Sequence, residues 1–189
     1  MREAIGRLFS AAEKDAPGDD EYMGMAANCA LVLVGARRGA RLDMGLKRDG
    51  HLWGELMSVK GHRLIEWDGA SSWTEPLFVP VKYARDAEKM KGCNSNNSAK
   101  AWRDMGRLLG YPEWCGRGGA DRRTAVLKAR VQRGLSSGPA VFLAGVKCTD
   151  ANLKKAGDLL QSWADKGNKA MSGEICGLGI RVHFFASLV

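Results

Sequence analysis

Basic, aromatic and glycine residues occur together between residues 41 and 67, in the stretch RLDMGLKRDGHLWGELMSVKGHRLIEW. Guanidinium and ammonium groups neutralise phosphates, an indole ring stacks on an unpaired base, and a glycine lets a ligand approach the backbone closely. The candidate nucleic-acid contacts in this stretch are Arg41, Lys47, Arg63, Trp67, Gly45 and Gly54. They predict a surface that recognises charge and ring faces rather than base edges.

A second basic segment, GRGGADRRTAVLKARVQRG, covers residues 116–134. A predicted helix follows its glycine-rich start, and a helix N-terminus next to glycines is a favourable place for a phosphate group. The further candidate contacts are Arg117, Arg122, Arg123 and Arg130. The segment lacks the GxxxxGK[ST] pattern, so we do not expect a nucleotide-hydrolase loop.

The positive charge is concentrated in the middle of the chain. Residues 1–30 hold three Lys/Arg against six Asp/Glu, residues 31–133 hold twenty against eleven, and residues 134–189 hold six against four. The net charge of +8 and the isoelectric point near 9.4 favour a polyanionic partner. The alternative is a solvated basic surface that only keeps the protein soluble.

Catalytic chemistry has weak support in the sequence. Cys115 lies among arginines that could lower its pKa, with His51, His62 or His183 as a base, and Glu55 with Glu66 could hold Mg²⁺. These residues show no nucleophile–base or metal-binding spacing, and the five cysteines form no CxxC pair. We therefore expect no enzyme, metal or cofactor, and keep a hydrolase or transferase using Cys115 or Glu55/Glu66 as a third hypothesis.

Two compositional features predict a soluble, intracellular (cytoplasmic) protein. The first twenty residues carry acids and contain no continuous apolar run of the kind found in secretion signals. No apolar stretch approaches the roughly 20 residues that span a bilayer.

Hydrophobic periodicity predicts an α+β protein of one domain, residues 1–189. Helices are predicted at residues 2–14, 20–29, 83–90, 99–109, 121–133 and 152–164. Strands or extended segments are predicted at residues 31–36, 41–48, 51–59, 62–67, 74–81, 140–146 and 178–188. The expected architecture is a curved antiparallel meander of about four strands with helices on one face, followed by a strand–helix–strand unit. Its parts are an acidic helical segment (1–30), the basic meander with helices (31–133) and the final unit (134–189).

Two turns set the predicted strand register, Asp49-Gly50 and Lys60-Gly61. In that register Gly54 lies opposite both Gly45 and Trp67, so an indole borders a glycine floor. Glu55 then lies opposite Glu66 on the core face, which is unfavourable unless arginines reach both. A slip of one residue would exchange the faces and expose Trp53 instead of Trp67.

The order of these elements over residues 31–109 is similar to the half-unit of PC4-like and Whirly-like single-stranded-nucleic-acid-binding domains. The similarity implies binding of unpaired strands on a curved sheet and assembly into oligomers. Open sheet edges also favour a homo-oligomer. We expect a non-enzymatic binder of single-stranded DNA, more than RNA, with little sequence specificity, acting in replication, recombination or transcription, and a virus or phage is one source that fits this role. The rival hypothesis is a small regulatory or viral accessory protein-interaction module in which tryptophans anchor the interface.

Overall fold

The fold combines helices with two antiparallel sheets. A computed structural model describes residues 1–42, 46–68, 74–90, 99–113, 124–133, 144–149, 152–170, 174–175 and 180–188. The helices of this part are α1 (Arg2–Asp15), α2 (Asp20–Leu33), α3 (His51–Ser58), α4 (Val81–Lys89), α5 (Ala99–Leu108) and α6 (Leu153–Ala170). Its strands are β1 (Ala40–Arg41), β2 (His62–Asp68), β3 (Thr74–Pro80), β4 (Thr124–Arg133), β5 (Ala144–Thr149), β6 (Glu174–Ile175) and β7 (Ile180–Leu188). The α+β class predicted from the sequence is confirmed.

Two prolines determine how the first sheet, of order β1-β3-β2, is hydrogen-bonded. The N–H of Leu42 donates to the carbonyl oxygen of Pro76 at 2.9 Å, so the hydrogen-bonding side of Pro76 faces β1. In an antiparallel strand, alternate residues bond to opposite neighbours. The N–H groups that Pro76 and Pro80 lack would therefore point toward β1, which has only two residues. The pairing between β2 and β3 is not affected and runs over seven residue pairs.

Helices cover both faces of the first sheet, not one face as predicted. Phe78 and Leu64 lie opposite each other and pack into the core formed with α1, α2 and α3. Leu77 and Ile65 lie on the other face and pack against α4 and α5. Since consecutive strand residues point to opposite faces, the apolar runs Leu64-Ile65 and Leu77-Phe78-Val79 require a helical layer on each side.

The second sheet has the order β5-β4-β7-β6, with all neighbours antiparallel. Helix α6 packs on β4, β5 and β7, and its Trp163 and Ala164 also join the core of the first sheet. Helix α6 thus connects the two sheets. The prediction of strand, helix and strand near the C-terminus is confirmed with shifted limits, except that residues 140–143 lie outside the described residues.

The segment at residues 31–36 was predicted as a buried strand, which is wrong. Helix α2, capped by the Asp19 carboxylate at the N–H groups of Glu21 and Tyr22, continues through Leu33. Nine of its side chains, from Tyr22 to Val32, are buried, so its apolar character extends around most of the helix. A short apolar run fits a buried helix as well as a strand. Gly35, with φ of +69°, ends the helix and lets the Ala36 N–H reach the Leu31 carbonyl.

The segment at residues 51–59 is helix α3 rather than a strand. Both oxygens of the Asp15 carboxylate accept backbone N–H groups at its N-terminus, from His51 at 2.7 Å and from Leu52 at 2.8 Å. Gly50 is the N-cap residue of α3 and not a hairpin turn. Leu52 and Leu56, one turn apart, are fully buried. A cap supplied from the end of α1 therefore decides the structure of this segment.

These corrections remove the four-stranded meander and its register. Strand β2, predicted as 62–67, is confirmed, but its partner is β3, and the similarity of element order to PC4-like and Whirly-like domains is not confirmed. The helix predicted at residues 121–133 is also wrong, because Thr124–Arg133 is strand β4. Pairing with β5 over six residue pairs and with β7 over seven makes this segment a strand.

The helices predicted at residues 2–14, 83–90 and 99–109 are confirmed within two residues at each end. Each has apolar positions at intervals of three and four, such as Ile5, Leu8, Phe9 and Ala12 in α1. Within the described ranges, no helix combines the length and apolar character needed to cross a membrane.

The Asp15 cap gives a stability prediction. Replacing Asp15 by Ala leaves two N–H groups of α3 without their carboxylate, so we expect the free energy of unfolding to fall by about 1–2 kcal/mol. Urea denaturation followed by circular dichroism measures this change. The matched control is Asp49→Ala, an exposed acid in the adjacent turn, for which we expect a change within about 0.5 kcal/mol.

Gly50 provides a test of the same contact. A Cβ at Gly50 would lie 2.6 Å from Asp15 Oδ2, so Gly50→Ala should destabilise the protein in the presence of the carboxylate. The cost should be smaller in the Asp15→Ala background, where this carboxylate is gone. Equal costs in both backgrounds would contradict the close approach of Asp15 to this turn.

Candidate nucleic-acid interface

Residues 37 and 38 follow the end of α2 and send their side chains in opposite directions. Arg37 is buried, with 6% of its surface exposed, whereas Arg38 is exposed. Gly110, with φ of +87°, lies close to this segment, since a Cβ at Gly110 would lie 3.0 Å from the backbone nitrogen of Arg38. This contact holds the segment against the end of α5, so one guanidinium faces the interior and the next faces solvent.

Arg38 contributes to a cationic and aromatic cluster on the exterior. Its guanidinium carbon lies 6.0 Å from the centre of the Tyr83 ring, and the Lys82 ammonium lies 5.0 Å from the same centre. Tyr83 is half-buried, while both cations are exposed. A tyrosine ring attracts cations through its π-electrons, so both positive groups are attracted to the same ring.

Helix α4 extends this cluster along its exposed side. Ala84, Ala87 and Met90 are buried against the sheet, so the opposite side of the helix faces solvent. There Lys82, Arg85 and Lys89 recur at intervals of three and four residues and form one basic stripe. Lys89 makes an ion pair with Asp86 at 3.2 Å, whereas neither Lys82 nor Arg85 forms an ion pair within the described part of the chain.

Strand β2 adds one more cation beside α4. The Val81 N–H donates to the Gly61 carbonyl at 2.9 Å, which fixes the start of α4 next to the start of β2. Arg63 is exposed and lies opposite Val79, on the sheet face that α4 covers. We define the α4 surface as Arg38, Arg63, Lys82, Tyr83 and Arg85.

The buried side chain of Arg37 contacts two aromatic rings in the core. Its guanidinium carbon lies 5.3 Å from the centre of the Tyr111 ring and 5.0 Å from that of Trp163. It donates to the Asn28 side-chain oxygen and, at 3.3 Å, to the Tyr111 hydroxyl. Among the described residues no carboxylate pairs with Arg37, and its Nε has no hydrogen-bond partner. Two aromatic rings and two neutral acceptors therefore stabilise this buried charge.

Cys29 is buried in the same core and is not a reactive nucleophile. Burial raises the pKa of its thiol far above the ordinary value, and the nearby positive charge of Arg37 offsets only part of that effect. The thiol therefore stays protonated at neutral pH. Cys115, the cysteine singled out in the sequence, lies outside the described residues.

The predicted contacts in the first basic stretch are dispersed. Arg41, in β1, binds both carboxylate oxygens of Glu75, and Trp67 occupies the β2 position opposite that glutamate, its side chain lying outside the described part. Lys47 is exposed in the loop before α3, and its N–H donates to the Tyr22 hydroxyl at 3.2 Å. Gly54 is on the exposed side of α3, and Gly45 lies outside the described residues. The glycine floor beside an indole is not formed, because residues 51–58 are helical.

The second basic segment is described only in part. Arg130 is in β4, opposite Phe185 of β7, while Arg117, Arg122 and Arg123 lie outside the described residues. A contribution of these four arginines to nucleic-acid binding stays a prediction. Of the cations predicted in the two segments, the structure places Arg63 beside α4.

The two glutamates considered for Mg²⁺ are not opposite each other. Glu55, on α3, is bound by Arg7 at 3.0 Å, and Glu66, on β2, is bound by Arg48 at 2.8 Å. Each carboxylate thus has its own arginine, which resolves the unfavourable pairing expected from the sequence. In the part of the chain that the structure describes, no three His, Cys, Asp or Glu side chains are grouped as a metal site.

The sequence contained one signal for the α4 surface. Arg85 and Lys89 lie four residues apart on the helix predicted at residues 83–90, which indicates a basic side of that helix. Arg38 could not be assigned to it, since its approach to Tyr83 depends on how α2, α4 and α5 pack. The predicted helix also began at Tyr83 and so omitted Lys82.

Comparisons of the chain with protein-family models, with curated proteins and with solved structures give no match. No residue role can therefore be transferred to this chain from a relative. The geometry and charge of the α4 surface are the evidence for its function.

The buried guanidinium gives a second stability prediction. Arg37→Met removes the charge and the hydrogen bonds that Arg37 donates to Asn28 and to the Tyr111 hydroxyl, so we expect the free energy of unfolding to fall by about 2 kcal/mol. Combining it with Trp163→Leu in a double-mutant cycle should give a coupling energy of about 0.5–2 kcal/mol. Denaturant titration of the four proteins measures both values.

Arg38→Met is the matched control, because it removes the same group from the exposed neighbouring position. Its effect on unfolding should stay within about 0.5 kcal/mol. A coupling energy of zero between Arg37 and Trp163 would show that the cation–π contact does not connect α6 to the core.

Proposed function

We propose that this protein is a non-enzymatic nucleic-acid-binding protein that holds an unpaired strand, DNA or RNA, on the α4 surface. The observation that carries the proposal is the half-buried Tyr83 ring flanked by the exposed cations of Arg38 and Lys82. Arg85 and Arg63 extend the positive charge beyond this ring. The surface therefore combines phosphate-binding groups with one aromatic face.

In this proposal the affinity comes from the attraction between the basic side chains and the phosphates. Lysine and arginine side chains that neutralise phosphates release condensed counterions, which makes binding strong at low salt and weak at high salt. The net +9 of residues 31–133 supplies the long-range attraction. Since Arg38 and Lys82 come from different elements, the bound backbone would run across the junction between the end of α2 and the start of α4.

The preference for unpaired strands comes from Tyr83. A ring at the surface stacks on a base only where the base face is open, as it is in a single strand. Stacking and phosphate contacts do not read base edges, so sequence preference should be slight. The surface consists of one ring and four cations, so the length of strand that it contacts would be a few nucleotides.

Catalysis has less support than binding. The described carboxylates Glu55 and Glu66 are each held by an arginine, and the Cys29 thiol is protonated in the core. A reaction requires a nucleophile or base converging on a substrate with a stabilising group. The α4 surface has cations and a ring but, among the described residues that define it, no such nucleophile or base.

The proposal predicts a salt-dependent preference for single strands. Fluorescence anisotropy with labelled oligonucleotides over a salt series should show tighter binding to single strands than to duplex. Each of Arg38→Ala, Lys82→Ala and Arg85→Ala should reduce the salt slope by about 0.7, the value for one phosphate contact on a single strand. Tyr83→Leu should weaken binding by about 1–3 kcal/mol without changing the slope, and Tyr83→Phe should retain the affinity.

Lys14→Ala is the matched control, since it removes one exposed positive charge from α1, a helix outside the α4 surface. It should leave the slope nearly unchanged if local contacts and not net charge determine binding. Lack of binding at low salt would contradict the proposal. Binding that is insensitive both to salt and to the α4 substitutions would favour the protein-interaction hypothesis.

A further inference from the structure

Strand β2 lies at one edge of the first sheet, where no other strand of the described part pairs with it. Because Pro76 bonds toward β1, its opposite residue Glu66 directs its N–H and carbonyl away from β3. Leu64, two residues earlier, has the same orientation. The outward residues of this seven-residue strand thus present N–H and carbonyl groups on its outer edge, apart from the His62 N–H, which bonds to Val59, and such an edge is a template for another strand.

The two exposed large apolar residues that the structure describes beyond Met1 lie where the chain enters this strand. Met57, at the end of α3, is 61% exposed, and Val81, at the start of α4, is 50% exposed. The Val81 N–H bonds to Gly61, and the His62 N–H bonds to Val59, so both helices are fixed to the start of β2. Apolar exposure next to an open strand edge is typical of a surface that a partner covers.

We propose that β2 pairs antiparallel with β2 of a second copy of this chain, which joins the two first sheets into one sheet of six strands. Hydrogen bonds across the new edge require the outward residues, 62, 64, 66 and 68, to face one another. This leaves three symmetric registers with substantial overlap, centred on Leu64, Ile65 or Glu66.

The register centred on Ile65 is favoured. It pairs all seven residues of each strand, whereas the other two registers pair five. It places His62 opposite Asp68, Arg63 opposite Trp67 and Leu64 opposite Glu66 of the second copy, so no like charges face each other. Centring on Glu66 would instead oppose two glutamates. The strand is therefore self-complementary, as a two-fold interface requires.

The symmetry axis of this pairing is perpendicular to the sheet, so both copies present α4 on the same side. Helix α4 packs on β2 and β3, and neighbouring strands are about 4.8 Å apart. The two α4 helices would then run roughly 10–15 Å apart. If the α4 surface binds nucleic acid as proposed above, the dimer doubles that surface, but the pairing itself depends only on the strand edge.

The test uses proline, which removes an N–H. Glu66→Pro removes an outward N–H without disturbing the bonds between β2 and β3, and its side chain is partly exposed. Light scattering should give twice 20.5 kDa for the wild-type protein and 20.5 kDa for Glu66→Pro, with dimerisation at least about tenfold weaker. Glu66→Ala, which retains the N–H, should stay dimeric.

Circular dichroism checks that the variant is folded, and Asp68→Pro, at the end of the strand, replaces it if it is not. A monomeric wild-type protein at every concentration would overturn the proposal. So would a dimer that persists in a folded proline variant, or a dimer that Glu66→Ala also dissociates. Because light scattering needs no nucleic acid, these results are independent of the binding experiment.

Discussion

The buried guanidinium of Arg37 is the interaction on which the arrangement of the rest depends. It contacts Asn28 of α2, Tyr111 beyond α5 and Trp163 of α6, so three separate parts of the chain meet at one charge. Removing a guanidinium from water costs several kcal/mol, and the two rings and two acceptors offset part of that cost. Such a group is stable only when its partners are in place together, which makes the positions of α2, α5 and α6 interdependent.

The same segment connects the core with the proposed binding surface. Gly35 ends α2 and turns the chain, and Gly110 permits the close contact that holds residues 37 and 38. Arg37 then lies in the core and Arg38 beside Tyr83. The position of an exposed cation thus follows from the packing of its buried neighbour, since the two residues are adjacent in a segment that Gly110 contacts closely.

The first sheet adds a second constraint. Its strands are apolar on both faces, so helices must cover both, and α4 and α5 are the layer that carries the α4 surface. The prolines of β3 restrict pairing on the β1 side, whereas β2 is bonded to β3 over its full length. One helical layer thus carries the proposed binding surface, and among the described strands none pairs with the outer edge of β2.

Local sequence determined the elements whose stabilising contacts lie within a few residues. Helices α1, α4, α5 and α6 and strands β2, β3 and β7 were predictable, because their apolar spacing is a signal that lies within each segment. The basic character of the middle of the chain was readable in the same way.

Tertiary structure alone decided the rest. The apolar run at the end of α2 suits a strand or a buried helix, and only burial on most sides selects the helix. Residues 51–58 are helical because Asp15, distant in sequence, caps them, and β4 is a strand between β5 and β7. The approach of Arg38 to Tyr83 likewise joins residues from different elements. Local periodicity cannot encode such contacts, since their energy arises only when distant segments pack together.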